Sequence, residues 1–296
     1  MFYFSRLTKI PKMQILVTGS RGQLGMELQS LAEHYSDYRF LFTDRTSLDV
    51  TNGEAVRKFF KKQRIDCLIN CAGHTGVDQA EADVENAHLV NAKAAGYLAE
   101  AAGKTGALMI HLSTDYVFDG KGCRPYTEGD SANPRSVYGK SKLDGELEVL
   151  FNARRSVIFR TSWLYSSYGN NFMKSILKQA SLKKELKVVY DQVGTPTYAR
   201  DLAKTILDLL PAFPARIRGE IYNFSNEGVA SWYDFARAIL EMKGSACRVV
   251  PVTTSEMPVV AARPHYSVLD KSRIKKDFGL QIPYWRDSLA KCLSAM

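Results

Sequence analysis

Short apolar runs alternate with longer amphipathic stretches through the first half of the chain. "QILVTG" (14–19), "YRFLFTD" (38–44), "DCLINCAG" (66–73) and "LMIHLSTD" (108–115) are brief, apolar and rich in β-branched or aromatic residues, which predicts buried strands. The stretches between them have helical spacing. "GMELQSLAEHY" follows the first strand, "NGEAVRKFFKKQR" (52–64) sets Val56, Phe59 and Phe60 on one side, and the Ala-rich 84–106 reads as one long helix. Strand and helix in turn predict an α/β fold: a doubly wound parallel sheet of the Rossmann type, with helices on both faces. No solenoid period is present.

After Lys142 the rhythm loosens. "SVIFRTSWLY" (156–165) and "LKVVYDQVG" (186–194) read as strands and "RDLAKTILDLL" (200–210) as a helix; from 211 proline is commoner, with a strand in "EIYNFSN" (220–226) and a helix in "WYDFARAILEM" (232–242). The expected division is a sheet unit at 13–160 and a second, smaller lobe drawn mainly from 161–296, with 187–212 returning to the sheet unit. No Gly/Ser linker divides them, which predicts close packing. Residues 1–12 precede the first strand as a loose extension, or a start codon placed too early.

Composition narrows the classes. The 296 residues are 45% hydrophobic and 24% charged, the balance of a soluble globular protein. No run approaches the ~18 apolar residues of a membrane span, and "MFYFSRLTKIPK" lacks the apolar stretch of a signal peptide. Cys67, Cys71, Cys123, Cys247 and Cys292 are odd in number and lack metal-site spacing, so mostly buried free thiols, no metal site and a cytoplasmic location are expected. The net charge of +9 is dispersed, which argues against nucleic acid as a partner and suits a small phosphate-bearing ligand.

"VTGSRGQLG" carries Gly19, Gly22 and Gly25 between the first strand and its helix. Glycines there allow a tight turn, close approach of the backbone to a pyrophosphate, and close helix–sheet packing, with the helix N-terminus facing the phosphates. The context predicts a dinucleotide site, and the G-x-x-G-x-x-G spacing resembles the short-chain dehydrogenase/reductase branch of the fold. Asp44 ends the second strand, where an acid bonds the adenosine ribose; Arg45 beside it suits a 2′-phosphate, so NADPH and NADH both remain open. Asp49 either meets the adenine or caps the next helix.

Thr114 closes the fourth strand at the sheet's carboxyl edge. Tyr138 and Lys142 follow in "SVYGKSKLDGE", one helical turn apart. Hydride delivered to a carbonyl carbon leaves charge on oxygen, which needs a proton and a hydrogen-bond donor. A phenol of pKa ~10 is a slow acid at neutral pH, and an adjacent ammonium is expected to lower it. His111, inside a strand, is expected to be a satisfied core residue.

Together with "VDQAEAD", "HLSTDYVFDG", "RTSWLYSSYGNNF", "DQVGTPTYARDLA" and "RPHYSVLD", these strings resemble the dTDP-4-dehydrorhamnose reductase family from Met13 almost to the C-terminus. The resemblance implies NAD(P)H-dependent reduction of the C4 ketone of dTDP-4-dehydro-L-rhamnose. By motif, Tyr138 is the acid, Lys142 its tuner and a nicotinamide-ribose ligand, and Thr114 a donor to the carbonyl. It implies cofactor contacts from Gly19, Gly22, Gln23, Leu24, Gly25, Asp44, Arg45, Asp49, Ala72 and Gly73. Substrate contacts are implied for Thr75, Val77, Asp115, Trp163 and Asn171, and for Arg263 at the diphosphate; the protein would be a monomer or a homodimer. Some members hold magnesium with acidic residues near the C-terminus, where "YWRDSLAKCL" offers only Asp287, which leaves magnesium a possible but doubtful cofactor. Cys71, Gly73, His74 and Tyr266 depart from the commoner residues of the family.

Two rival readings share the fold. A sugar-nucleotide 4,6-dehydratase or epimerase would want Thr-Asp-Glu, and this chain has Thr114-Asp115-Tyr116. A non-catalytic regulatory subunit like that of methionine adenosyltransferase would not need the intact Thr114, Tyr138 and Lys142.

Overall fold

The structure, a computed structural model, describes residues 12–214, 217–257 and 259–296. Residues 1–11 of the expected extension lie outside them.

The first part runs β1 (Met13–Thr18), α1 (Gln23–Leu31), β2 (Tyr38–Phe42), α2 (Gly53–Lys62), β3 (Cys67–Asn70), α3 (Val77–Ala82), α4 (Val84–His88), α5 (Ala94–Thr105), β4 (Leu108–Thr114), α6 (Val137–Asn152) and β5 (Ser156–Thr161). The rest adds β6 (Leu164–Tyr165), α7 (Phe172–Ala180), β7 (Glu185–Val189), β8 (Val193–Gly194), β9 (Thr197–Tyr198), α8 (Ala199–Leu209), β10 (Glu220–Asn223), β11 (Ala230–Ser231), α9 (Trp232–Met242), β12 (Arg248–Val252), α10 (Ser272–Phe278) and α11 (Trp285–Ser294).

Among the described residues the main sheet has six parallel strands in the order β2–β1–β3–β4–β5–β10. Ile15 and Val17 feed a core shared with α1 and α8, while Leu16 feeds one shared with α2, α5 and α6. Burial on both faces explains the unbroken apolar runs in the sequence. Each fully buried aliphatic side chain contributes roughly 1.5–3 kcal/mol. The chain winds away from β1 in both directions, so the strand order reverses between β1 and β3 and opens a crevice at their carboxyl ends.

Two expectations change. The stretch 84–106 is not one helix, because a wider π turn over Leu89–Lys93 separates α4 from α5. The turn carries Asn91, whose side chain accepts from the His74 N–H at 2.8 Å and donates to the His74 carbonyl and the Ser141 hydroxyl. The strand at 220–223 belongs to the main sheet and not to the second lobe, pairing with Val157–Arg160. Tyr222 packs into one face of the sheet and Ile221 against the other, as a sheet strand requires. α8 lies against α1, while β7 pairs with β12, so the returning chain is α8 and β10.

Among the described residues the second lobe has three two-stranded pairs, β6 with β9, β7 with β12 and β8 with β11, and a core that includes Tyr165, Met173, Phe235, Ile239, Trp285 and Leu289. Of the five cysteines, all free, only Cys67 and Cys292 are buried, fewer than the sequence suggested, because Cys71, Cys123 and Cys247 fall at a cleft, a loop and a lobe surface.

Candidate active site

The crevice continues into a cleft of about 700 Å³ between sheet and second lobe. Its near wall is the glycine loop. Gly19 has φ 66°, and a Cβ there would lie 2.6 Å from the Ala72 nitrogen; one on Gly25 would lie 2.5 Å from the Gly19 carbonyl oxygen. The loop therefore folds only with glycine at both positions. Gly22 is the N-cap of α1 and no side chain caps that helix, so its first N–H groups stay available to an anion. Gly22, Gln23, Leu24, Ala72 and Gly73 line the cleft, and the bare backbone cradle fits a dinucleotide pyrophosphate.

Arg21, in the same loop, reaches the Asp44 carboxylate at 2.6 Å. The other Asp44 oxygen accepts from the N–H and hydroxyl groups of both Thr46 and Ser47. Those bonds, from Thr46 first, hold the Asp44 carboxyl well below its usual range. Asp49 is likewise bonded by Thr51 and kept low. It does not cap α2; Asn52 does, accepting from Glu54 and Ala55. Asp44, Arg45 and Asp49 lie outside the cleft lining, Asp44 being joined to it through Arg21.

The floor is built by β4 and α6. Thr114 ends β4 and caps the short turn that follows, accepting from the Tyr116 N–H and donating to Asp115 at 3.0 Å. Ser136 caps α6 by accepting from the Gly139 N–H, which puts Tyr138 and Lys142 in the first turns facing the cleft together. Burial pushes the Tyr138 phenol far above its ordinary value, opposed by hydrogen bonding from Thr114. Lys142, 6% exposed, donates to the Leu112 carbonyl. Burial brings it down to about 8 against the pull of Glu146. The expected lowering of Tyr138 by Lys142 is therefore not realised in this structure: desolvation dominates the phenol, and the ammonium is engaged elsewhere. Asp115 is pushed up to about 6 by burial.

Thr75, Val77, Asp115, Trp163 and Arg263 also line the cleft. Arg263 is already held, by Asp78 at 2.6 Å and the Tyr116 hydroxyl at 3.3 Å. Asn171 does a different job from the one expected. It caps α7, accepting from Lys174, and its amide donates to Gln23 and the Ser166 carbonyl, which spends its polar atoms on the loop; its neighbour Asn170 lines the cleft. His111 is buried, with one ring nitrogen bonded to Asn70 at 3.0 Å and the other without a partner among the described residues. Sequence reasoning passed over Arg21, Tyr116 and Trp232, all in the lining. Arg21 sits inside the glycine string and Tyr116 beside Thr114, so proximity to a motif was a usable signal; Trp232 had none.

Sheet order, glycine cradle and the Thr114–Tyr138–Lys142 floor define an extended short-chain reductase architecture. The family model described as RmlD substrate binding domain matches residues 13–296, and the chain belongs to that family. It is 40% identical over 280 residues to the spore coat polysaccharide biosynthesis protein SpsK of Bacillus subtilis strain 168, covering 95% of this chain and 96% of that one. It is 39% identical to a dTDP-4-dehydrorhamnose reductase of Aggregatibacter actinomycetemcomitans, over 93% of this chain and 97% of that one. Among solved structures, the dTDP-4-dehydrorhamnose reductase of Bacillus anthracis in complex with NADP superposes with TM-score 0.92 at 36% identity, covering 96% of this chain and all of that one (100%).

Proposed function

We propose that this protein reduces the C4 ketone of dTDP-4-dehydro-L-rhamnose, or a close 4-keto-6-deoxy sugar nucleotide, with NADPH. The observation that carries the reading is Thr114, Tyr138 and Lys142 on the floor of a cleft whose near wall is a bare glycine cradle. The relatives named above support the substrate class. Sheet and glycine loop take the dinucleotide, and the second lobe takes the nucleotide sugar.

Bound NADPH supplies the hydride to C4. Tyr138 retains its proton through neutral pH, because burial raises its pKa, and gives it to the C4 oxygen as charge develops there. Thr114 donates a second hydrogen bond to the same oxygen. Lys142 keeps a positive charge on the cleft floor and would stabilise the phenolate left behind once its ammonium leaves the Leu112 carbonyl. Of the two cofactors the rim suits NADPH better. A ribose diol needs a free carboxylate oxygen, whereas Asp44 spends one oxygen on Thr46 and Ser47 and the other on Arg21. Arg21, paired with Asp44, and Arg45, next to Asp44 in the chain, support that reading as partners for a 2′-phosphate.

The Thr-Asp-Tyr string disfavours dehydration, since Tyr116 supplies no carboxylate; its ring meets Tyr138 edge-on at 5.5 Å. The test follows NADPH and NADH absorbance with dTDP-4-dehydro-L-rhamnose in the cytoplasmic pH range. Turnover with NADPH supports the reading, and no turnover with either cofactor overturns it.

A further inference from the structure

Trp163 is the only residue other than glycine with positive φ among the described residues, at 47°. It lies in the cleft wall, between β5 and β6. Side chains rarely adopt this backbone conformation, and it persists only where surrounding contacts over-determine it. Two such contacts are present. The indole stacks face to face on Trp232, with centroids 3.5 Å apart and planes 6° from parallel. The Gly194 backbone lies against the same indole, so close that a Cβ there would sit 2.7 Å from its Cε2 atom.

Trp232 is itself fixed from three sides. It opens α9 directly after Ser231, whose hydroxyl accepts from the Asp234 N–H while the Asp234 carboxylate accepts from the Ser231 N–H. Phe172 packs on its ring at 4.5 Å. β11, which leads into Trp232, pairs with β8, which carries Gly194, so one strand pair sets both the stacking partner and the close backbone contact.

We propose that Trp232 is a positioning residue for the nucleotide sugar: it holds Trp163 in its strained backbone conformation, so that the Trp163 indole stands as a fixed wall of the sugar end of the cleft. The inference rests on the reading of the function given above. Without an aromatic partner Trp163 relaxes to an extended conformation, and the wall moves.

The test compares Trp232→Phe, which keeps an aromatic face at this partly buried position of the cleft lining, with Trp232→Leu, which keeps an apolar side chain without one. Steady-state kinetics with NADPH and dTDP-4-dehydro-L-rhamnose should show the KM for the sugar nucleotide raised about tenfold in the Leu variant, the scale of one aromatic stack. Its kcat and the KM for NADPH should stay near wild type, and Phe should restore the substrate KM. An unchanged substrate KM in the Leu variant, or an equal rise for NADPH, overturns the proposal. A second readout needs no substrate. The chain has three tryptophans, and Trp285 is buried at 3% exposure, so acrylamide quenching in the Trp232 variants reports on Trp163. Trp163 should be more accessible in the Leu variant than in the Phe variant, and equal quenching overturns the proposal. Wild-type protein with no turnover would sink the functional reading alone, and quenching would then decide.

Discussion

The Lys142 ammonium donates to the main-chain oxygen of Leu112, one helical turn along α6 from the Tyr138 phenol. Proximity in a motif therefore does not amount to tuning in the protein as it stands. Lys142 is buried and Tyr138 half-buried, and desolvation works on each against its charged form, raising the phenol and lowering the amine. The phenol keeps its proton, and the ammonium is the group nearer to losing its own.

Replacing Tyr138 by Phe removes the proposed proton donor and little else. Turnover should fall by at least ~10²-fold, the scale of lost general-acid assistance, with NADPH affinity unchanged by fluorescence titration. Retained turnover would take the phenol out of the mechanism.

The alkaline limb should belong to Lys142. Its charged form is present below about 8 and lost above it, so kcat/KM should decline as pH rises through that value. Glu146 raises the Lys142 value, so Glu146→Gln should move the limb to lower pH. A limb that stays in place in that variant would assign it to another group.

Asp115 should make the protein less stable as pH rises. Its folded value of about 6 lies above the ordinary 3.8, so the folded state binds the extra proton between the two. The stability present below pH ~4 is lost as pH climbs through about 6, by at most roughly 3 kcal/mol. Asp115→Asn should match wild type in urea melts at acid pH and exceed it at pH 7; a difference independent of pH would show that the carboxyl does not titrate in this window.

Arg160 and Glu146 form a buried pair at 2.6 Å, with side chains 5% and 2% exposed. Arg160→Met leaves Glu146 buried without its partner and should cost about 3–5 kcal/mol in urea unfolding. Adding Glu146→Leu should recover most of it, since an apolar pair needs no compensation. If the double variant is no better than the single, the pair's contribution is not electrostatic.

Arg21→Ala should lower kcat/KM with NADPH about tenfold relative to NADH, as expected for one lost charge-assisted contact. An unchanged ratio would place the 2′-phosphate away from Arg21.

The sequence made the sheet legible because strands buried on both faces read as apolar runs, and the glycine loop because backbone approach admits no side chain. The π turn at Leu89–Lys93 left no mark in an Ala-rich stretch, since the bonds that accompany it, from Asn91 to His74 and Ser141, are made through space. β10 was assigned to the wrong lobe because a short strand late in the chain carries no sign of which sheet it joins. Trp232 escaped for a related reason: it meets Trp163 across 69 positions of sequence, from 163 to 232, and neither residue's neighbourhood names the other.

The return of α8 and β10 to the sheet has a consequence for how the protein can be taken apart or rebuilt. The chain leaves the sheet after β5, comes back as α8 and β10, and leaves again, so the lobes are stitched rather than strung. No single cut frees the second lobe from the sheet unit: ending the chain after β5 strips α1 of its α8 cover and bares the β5 edge. A chimera that exchanges one lobe for another's needs several joints, and a protease nick in a loop of the second lobe should leave two fragments that still travel together.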